Sequence, residues 1–253
     1  MQTPEQLREL VEGYLGDLSL TPQLGTLAAP MRHALGGKRI RPILTLATGE
    51  ALGADAEKVL PAAAAVELVH SFSLVHDDLP ALDDDDERRG QPSVWAQYGE
   101  AAAILAGDAL LAEAMRLALT YPTPFVAREL VNATLGMIGG QQLDLEGGVD
   151  LADLHRLKTG ALFSASVMCG LWAADVPETQ HAPWRAFADE LGLLFQIVDD
   201  VLDGDGYVLQ VGAGNARALA DEAAQRALQR LAAIDGETSV LASIVESLAV
   251  RTA

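Results

Sequence analysis

The stretch Pro61-Ala62-Ala63-Ala64-Ala65-Val66-Glu67-Leu68-Val69-His70-Ser71-Phe72-Ser73-Leu74-Val75-His76-Asp77-Asp78 is apolar around nearly the whole of a helix and then ends on two adjacent carboxylates. A helix that is apolar on all faces belongs inside a large fold, so the pattern predicts a central buried helix opened by Pro61. A second stretch repeats the design. Residues 184 to 202 are helix-periodic and deliver Phe195-Gln196-Ile197-Val198-Asp199-Asp200-Val201-Leu202-Asp203. Asp199 and Asp203 are four apart and project from one helix face, while Asp200 points sideways from them. Carboxylates beside so much apolar surface are costly unless a positive group compensates them. Mg²⁺ prefers oxygen ligands and commonly joins carboxylates to phosphates. The two clusters therefore read as acidic walls that hold a diphosphate through Mg²⁺.

The first cluster continues as Leu79-Pro80-Ala81-Leu82-Asp83-Asp84-Asp85-Asp86-Glu87-Arg88-Arg89-Gly90. A run of like charge is ordinarily a solvated loop, and Asp84, Asp85 and Asp86 read as surface charge. This run, however, lies between strong helices and is followed at once by two arginines. Upstream, Gly36-Gly37 ends a helix over 24–35, and Lys38-Arg39-Ile40-Arg41-Pro42 opens another that runs to about Leu52, with Pro42 in its first turn. Cations at a helix N-terminus oppose the dipole. The arrangement makes sense when an anion binds, because amides and cations then converge on it. His70 and His76 interrupt the apolar helix. Either one alone reads as a hydrogen-bonded core histidine, and their closeness to the acidic cluster makes them candidates.

The remaining periodicity predicts helices over 4–15, 95–119, 125–145, 150–172 (carrying Lys158-Thr159-Gly160), 215–234 and 239–250, with a Gly-rich break over 204–214. No strand alternation and no repeat appears, so the chain is all-α. No Ser/Gly/Pro-rich linker divides it, and residues 1–253 read as one domain. Half of the 253 residues are apolar, and the formal charge is −19. Such acidity argues against nucleic acid or an anionic membrane as a partner. Cys169 is the single cysteine, which excludes an internal disulfide and fits a reducing compartment. The N-terminus lacks a basic region followed by an apolar run, so no signal peptide is expected. No uninterrupted apolar stretch is long enough to span a bilayer, and a cytoplasmic protein without a transmembrane segment is expected.

Read together, the two aspartate clusters, Gly36-Gly37-Lys38-Arg39-Ile40-Arg41-Pro42, Arg88-Arg89-Gly90, Lys158-Thr159-Gly160 and Phe195-Gln196 resemble a short-chain trans-isoprenyl diphosphate synthase, the farnesyl/geranylgeranyl diphosphate synthase family. The resemblance covers roughly residues 25 to 205. It implies a bundle of mostly antiparallel helices around a central cavity, usually in a homodimer. Asp77, Asp78 and Asp83 match the family's first aspartate motif, and Asp199, Asp200 and Asp203 its second. Together these would hold Mg²⁺, typically three ions, around the diphosphate of an allylic substrate. That diphosphate then leaves, and the double bond of isopentenyl diphosphate attacks the allylic cation. Arg88 matches the arginine on the allylic diphosphate. Lys38, Arg41, His70 and Arg89 match the isopentenyl diphosphate pocket, where no metal is needed. Lys158, Thr159 and Gln196 match residues near the allylic diphosphate and the cation. Phe72, the fifth residue before Asp77, matches the position where a bulky side chain closes the floor of the chain cavity. The resemblance thus implies a C15 product, with C10 and C20 as alternatives.

One departure stands out. The family continues after its second motif with a lysine-bearing loop, whereas here Gly204 to Ala218 contains none, and no lysine follows Asp203 anywhere. The loop reads as shortened, and Arg217 is a substitute in charge alone. A class I terpene cyclase shares the aspartate motif but has no second diphosphate to bind, so Lys38, Arg41 and His70 argue against it. A non-catalytic subunit or binding protein with the same fold is supported only by the shortened loop. A di-iron bundle would need Glu-x-x-His pairs, and none is present.

Overall fold

Thr3 Oγ1 accepts from the Gln6 amide at 3.3 Å while Gln6 Oε1 accepts from the Thr3 amide at 2.8 Å. This reciprocal cap opens α1 (Pro4–Asp17). In the computed structural model, which describes residues 2–148 and 150–252, α2 (Ala28–Ala34), α3 (Ile40–Ala51) and α4 (Ala56–Asp77) follow. A two-residue antiparallel ladder then joins β1 (Glu87–Arg88) to β2 (Gln91–Pro92). Next come α5 (Val94–Tyr98), α6 (Glu100–Ala118), α7 (Phe125–Glu146), α8 (Leu151–His155), α9 (Ala161–Ala173) and α10 (His181–Asp203). The chain ends with α11 (Gly206–Val211), α12 (Ala213–Ala232) and α13 (Ser239–Ala249). The all-α expectation holds. The small ladder escapes sequence reading because two residues cannot display an alternation. Its turn, Arg89-Gly90, has φ of 58° and 76°, the left-handed pair that a tight type I′ hairpin demands.

The central helix α4 begins at Ala56, earlier than Pro61, which lies inside it. Proline in a helix interior removes a donor and pushes the ladder apart. Tyr121 repairs the break: its hydroxyl accepts from the Ala62 amide at 3.1 Å and donates to the Lys58 carbonyl at 2.7 Å. Those two backbone groups would otherwise pair with each other, so the side chain is inserted into the ladder. Contrary to the sequence expectation, α4 is long and apolar enough to cross a bilayer, but 67% of its most apolar window is buried inside the fold. Its apolar surface is spent on the core.

α9 is the other buried helix, with Leu162, Phe163, Val167, Met168 and Leu171 all inaccessible to solvent. It packs against α3, α4, α7 and α10. Each such side chain contributes about 2 kcal/mol of burial free energy, which makes α4 and α9 the frame from which the site residues project. Two predicted helices are subdivided, and one predicted break holds a helix. The one over 95–119 breaks at Gly99, whose φ is 88°. The one over 150–172 carries a π-turn, Arg156–Gly160, between α8 and α9. The break over 204–214 contains α11.

Candidate active site

α4 delivers Asp77 at its last turn, and the Asp83 amide donates to the Asp77 carbonyl at 2.9 Å. That bond folds residues 77–83 into a tight loop and sets Asp83 beside Asp77. Burial, with Asp83 and Asp78 close by, pushes the Asp77 carboxyl up to about 6 although Lys158 and Arg88 oppose the shift. Asp78 faces the other way. It is 2% exposed, and its Oδ1 accepts from Arg88 Nε at 2.6 Å. Arg88 also reaches Asp85 Oδ2 at 3.3 Å, so an aspartate read as surface charge helps to aim it.

The second motif splits in the same way. Asp199 and Asp203 are exposed on one face of the end of α10. Burial and the nearby Asp203 and Asp200 carboxylates raise Asp199, against the pull of Arg41 and Lys38. Asp200 is 4% exposed and satisfied by the chain itself. Its Oδ1 accepts from Gln196 Nε2 at 2.8 Å and its Oδ2 from the Tyr207 amide at 2.9 Å. Gln196, expected beside the diphosphate, has its amide turned to Asp200. It serves Asp200 and lines a separate cleft between α7, α9 and α10.

A cavity of about 610 Å³ is lined by Lys38, Arg41, His70, Arg89, Thr159 and Asp199, which brings four expected cation-pocket residues together. Behind them lies Glu67, 2% exposed, a carboxylate that sequence reading passed over. Arg39 adopts the left-handed conformation at the start of α3 and turns inward to Glu67 at 2.5 Å and Glu12 at 2.9 Å. Arg39 is thus neutralised by two carboxylates where it lines the cavity, whereas among the described residues Arg41 and Arg89 have no carboxylate bonded to them. Arg41 lies 4.6 Å over the Phe163 ring and 5.6 Å over that of Phe195, which fixes its guanidinium plane. Burial lowers it to about 10, still cationic at neutral pH. Its Nη1 donates to His70 Nε2 at 3.4 Å. Burial and then Arg41, Arg89 and other arginines hold His70 well below its usual pKa, so the ring is neutral. Arg251, beyond α13, lines the same cavity beside Lys38. Arg217, by contrast, is an exposed residue of α12 that lines neither this cavity nor the next.

A second cavity, about 260 Å³, is lined by Phe72, His76, Asp77, Met137, Leu145 and Lys158. His76 Nε2 meets the Ile104 carbonyl at 3.1 Å, and its ring stands edge-on to Phe72 at 5.1 Å. Lys158 is held by Asp144 at 2.5 Å. The π-turn puts consecutive residues into the two cavities, Lys158 into this one and Thr159 into the larger. Such turns recur at functional sites. Gly140 makes the approach possible: a Cβ there would lie 2.4 Å from the Lys158 amide nitrogen.

Among the described residues, no three His, Cys, Asp or Glu side chains form a ready metal cage. The donors are instead two pairs of open carboxylates, Asp77 with Asp83 and Asp199 with Asp203. Repulsion within these all-oxygen sets is relieved by a hard cation, and the remaining coordination positions would fall to ligand oxygens. That suits Mg²⁺, which is bound by one or two carboxylates plus phosphates.

With this geometry in place, residues 25–225 match the family described as Polyprenyl synthetase, and the chain belongs to that family. It is 40% identical to farnesyl diphosphate synthase of Bacillus subtilis (strain 168), over 70% of this chain and 65% of that protein. It is 45% identical to geranylgeranyl diphosphate synthase of Cyanophora paradoxa, over 68% of this chain and 64% of that protein. The matches thus span just under two thirds of the length of these relatives. The crystal structure of an FPP/GFPP synthase from Zymomonas mobilis superposes with a TM-score of 0.85 at 32% identity, covering 97% of both chains.

Proposed function

We propose that the protein is a short-chain prenyltransferase that condenses isopentenyl diphosphate with an allylic diphosphate. The observation that carries this reading is the pair of adjoining cavities. One is lined by Lys38, Arg41, Arg89 and Arg251 with Asp199 in its wall, the other opens on Asp77 and an apolar floor, and Lys158-Thr159 links them. A reaction joining two diphosphates needs such a division. Mg²⁺, three ions by family resemblance, would be held by Asp77, Asp83, Asp199 and Asp203 and would supply positive charge to the departing diphosphate. Lys158 and Arg88 add fixed charge on that side, Lys158 as a point charge and Arg88 as a planar fork. The allylic C–O bond breaks, and the electron pair leaves with the diphosphate. The double bond of isopentenyl diphosphate, whose own diphosphate rests on Lys38, Arg41, Arg89 and Arg251, forms the new C–C bond. The proton lost from that unit passes to the released diphosphate.

Phe72 and the apolar wall around it exclude water from the cation and limit the chain, which favours a C15 product. A homodimer is part of the same proposal, because Ile104 and Leu105 on α6 and Val131, Leu135 and Ile138 on α7 are exposed apolar residues of two helices that pack together. A cytoplasmic setting is in keeping with the buried free thiol of Cys169. The cyclase alternative gains nothing from the geometry, since the cation pocket is intact.

The test is incubation with Mg²⁺, labelled isopentenyl diphosphate and C5, C10 or C15 allylic diphosphates, with products sized after dephosphorylation. A labelled C15 alcohol, lost in Asp77→Ala and Asp199→Ala, is expected. No condensation with any primer by a folded protein would overturn the assignment.

A further inference from the structure

The segment after α10 is rebuilt around one carboxylate. The Gly204 and Asp205 amides donate to the Asp200 carbonyl at 2.9 and 3.2 Å, and the Tyr207 amide donates to Asp200 Oδ2 at 2.9 Å. Gly206 passes so close that a Cβ there would lie 2.1 Å from the same oxygen, and its φ of 43° is left-handed. The His155 ring packs against Tyr207 at 5.5 Å, with Nδ1 3.9 Å from Asp200 Oδ2. On the other side Gln196 supplies the Oδ1 bond. His155 directly precedes the π-turn that carries Lys158 and Thr159. Asp200 thus joins two pieces, the end of α10 and the start of α11, and the His155 ring lies beside them without a hydrogen bond to it.

We propose that Asp200 is a positioning residue and not a metal ligand. It anchors the 204–211 segment against the end of α10. The proposal rests on the reading that Asp199 and Asp203 supply the second motif's metal ligands. Both Asp200 oxygens already accept a hydrogen bond from the chain, the residue is buried, and it lies off the face that Asp199 and Asp203 share.

Two measurements separate anchor from ligand. Amide hydrogen exchange across 204–211 is read on the metal-free protein. Asp200→Ala should speed exchange there by about tenfold or more, whereas Asp199→Ala should leave it unchanged. Asp200→Asn, which keeps an oxygen for the Tyr207 amide while Gln196 turns its own amide over, should restore slow exchange. Mn²⁺ bound in the presence of inorganic pyrophosphate is then counted by electron paramagnetic resonance. Asp200→Asn should retain the wild-type number of ions, and Asp199→Asn should lose one. Should Asp200→Ala fail to fold, Gly206→Ala breaks the same contact from the other side and should speed exchange without loss of an ion. Unchanged exchange in Asp200→Ala, or an ion lost in Asp200→Asn, overturns the proposal. A wild-type protein that binds no Mn²⁺ with pyrophosphate would instead refute the proposed function, and exchange alone would then decide the anchor.

Discussion

Arg88 Nε donates to Asp78 Oδ1 at 2.6 Å, and this bond removes Asp78 from the cavity that its neighbour Asp77 faces. Two adjacent identical residues therefore have different work. Removing Asp78 leaves a half-buried guanidinium without its partner, so Asp78→Ala should destabilise the fold by about 2 kcal/mol, below the range for fully buried pairs because Arg88 keeps some contact with water. Asp83 is exposed, and Asp83→Ala should change stability by no more than about 0.5 kcal/mol. Urea unfolding of both variants measures the contrast. Activity should fall in both, for different reasons.

His70 gives the fold a defined acid limit. Its folded pKa lies well below the ordinary 6.5, chiefly through burial and then the charge of Arg41. A group whose folded pKa is depressed binds its proton first in the unfolded state, so its share of stability is present above pH 6.5 and lost as pH falls below it. The slope approaches about 1.4 kcal/mol per pH unit for one proton. His70→Gln retains an oxygen to accept from Arg41 and cannot titrate. It should flatten the dependence of unfolding free energy on pH between 6.5 and 5, as measured by denaturant titration at each pH.

Phe72 is 8% exposed and lines the smaller cavity with Met137 and Leu145. Phe72→Ala should open that floor and lengthen the main product by at least one C5 unit. Chromatography of dephosphorylated products from a C15 primer reads this directly. The substitution also removes a buried ring and should lower stability by about 3 kcal/mol, so the assay belongs at low temperature.

The apolar residues exposed on α6 and α7 should be covered by a second copy. Leu105→Glu with Leu135→Glu should give a monomer by sedimentation velocity, whereas the unaltered protein should sediment as a dimer. Burying two carboxylates in an apolar interface is prohibitive unless they are paired.

Much of the site was legible because its chemistry needs charge where burial forbids it. Asp77, Asp83, Asp199 and Asp203 stand out against apolar helices, and Lys38, Arg41 and Arg89 flank helix or hairpin turns. What stayed hidden depended on tertiary distance. Glu67 lies three residues before His70 on one face of α4 and carried a readable signal, a carboxylate in an otherwise apolar run. Arg251 carried none, since nothing local brings the chain beyond α13 to Lys38. The bonds that Gln196 and the Tyr207 amide make to Asp200 were hidden too, because α11 lies in a Gly-rich stretch with no local helix signal. The hydroxyl of Tyr121 mending the ladder at Pro61 is a long-range contact of the same kind.

The central claim is that one diphosphate is held by cations alone and the other by carboxylates through Mg²⁺. Titration calorimetry in the presence and absence of EDTA tests it most directly, with isopentenyl diphosphate and a non-hydrolysable allylic thiodiphosphate as ligands. Isopentenyl diphosphate should bind equally well with the chelator and be lost in Arg41→Gln, while the allylic analogue should need Mg²⁺ and be lost in Asp77→Asn. Metal-dependent binding of isopentenyl diphosphate, or chelator-resistant binding of the analogue, would contradict the division of the site.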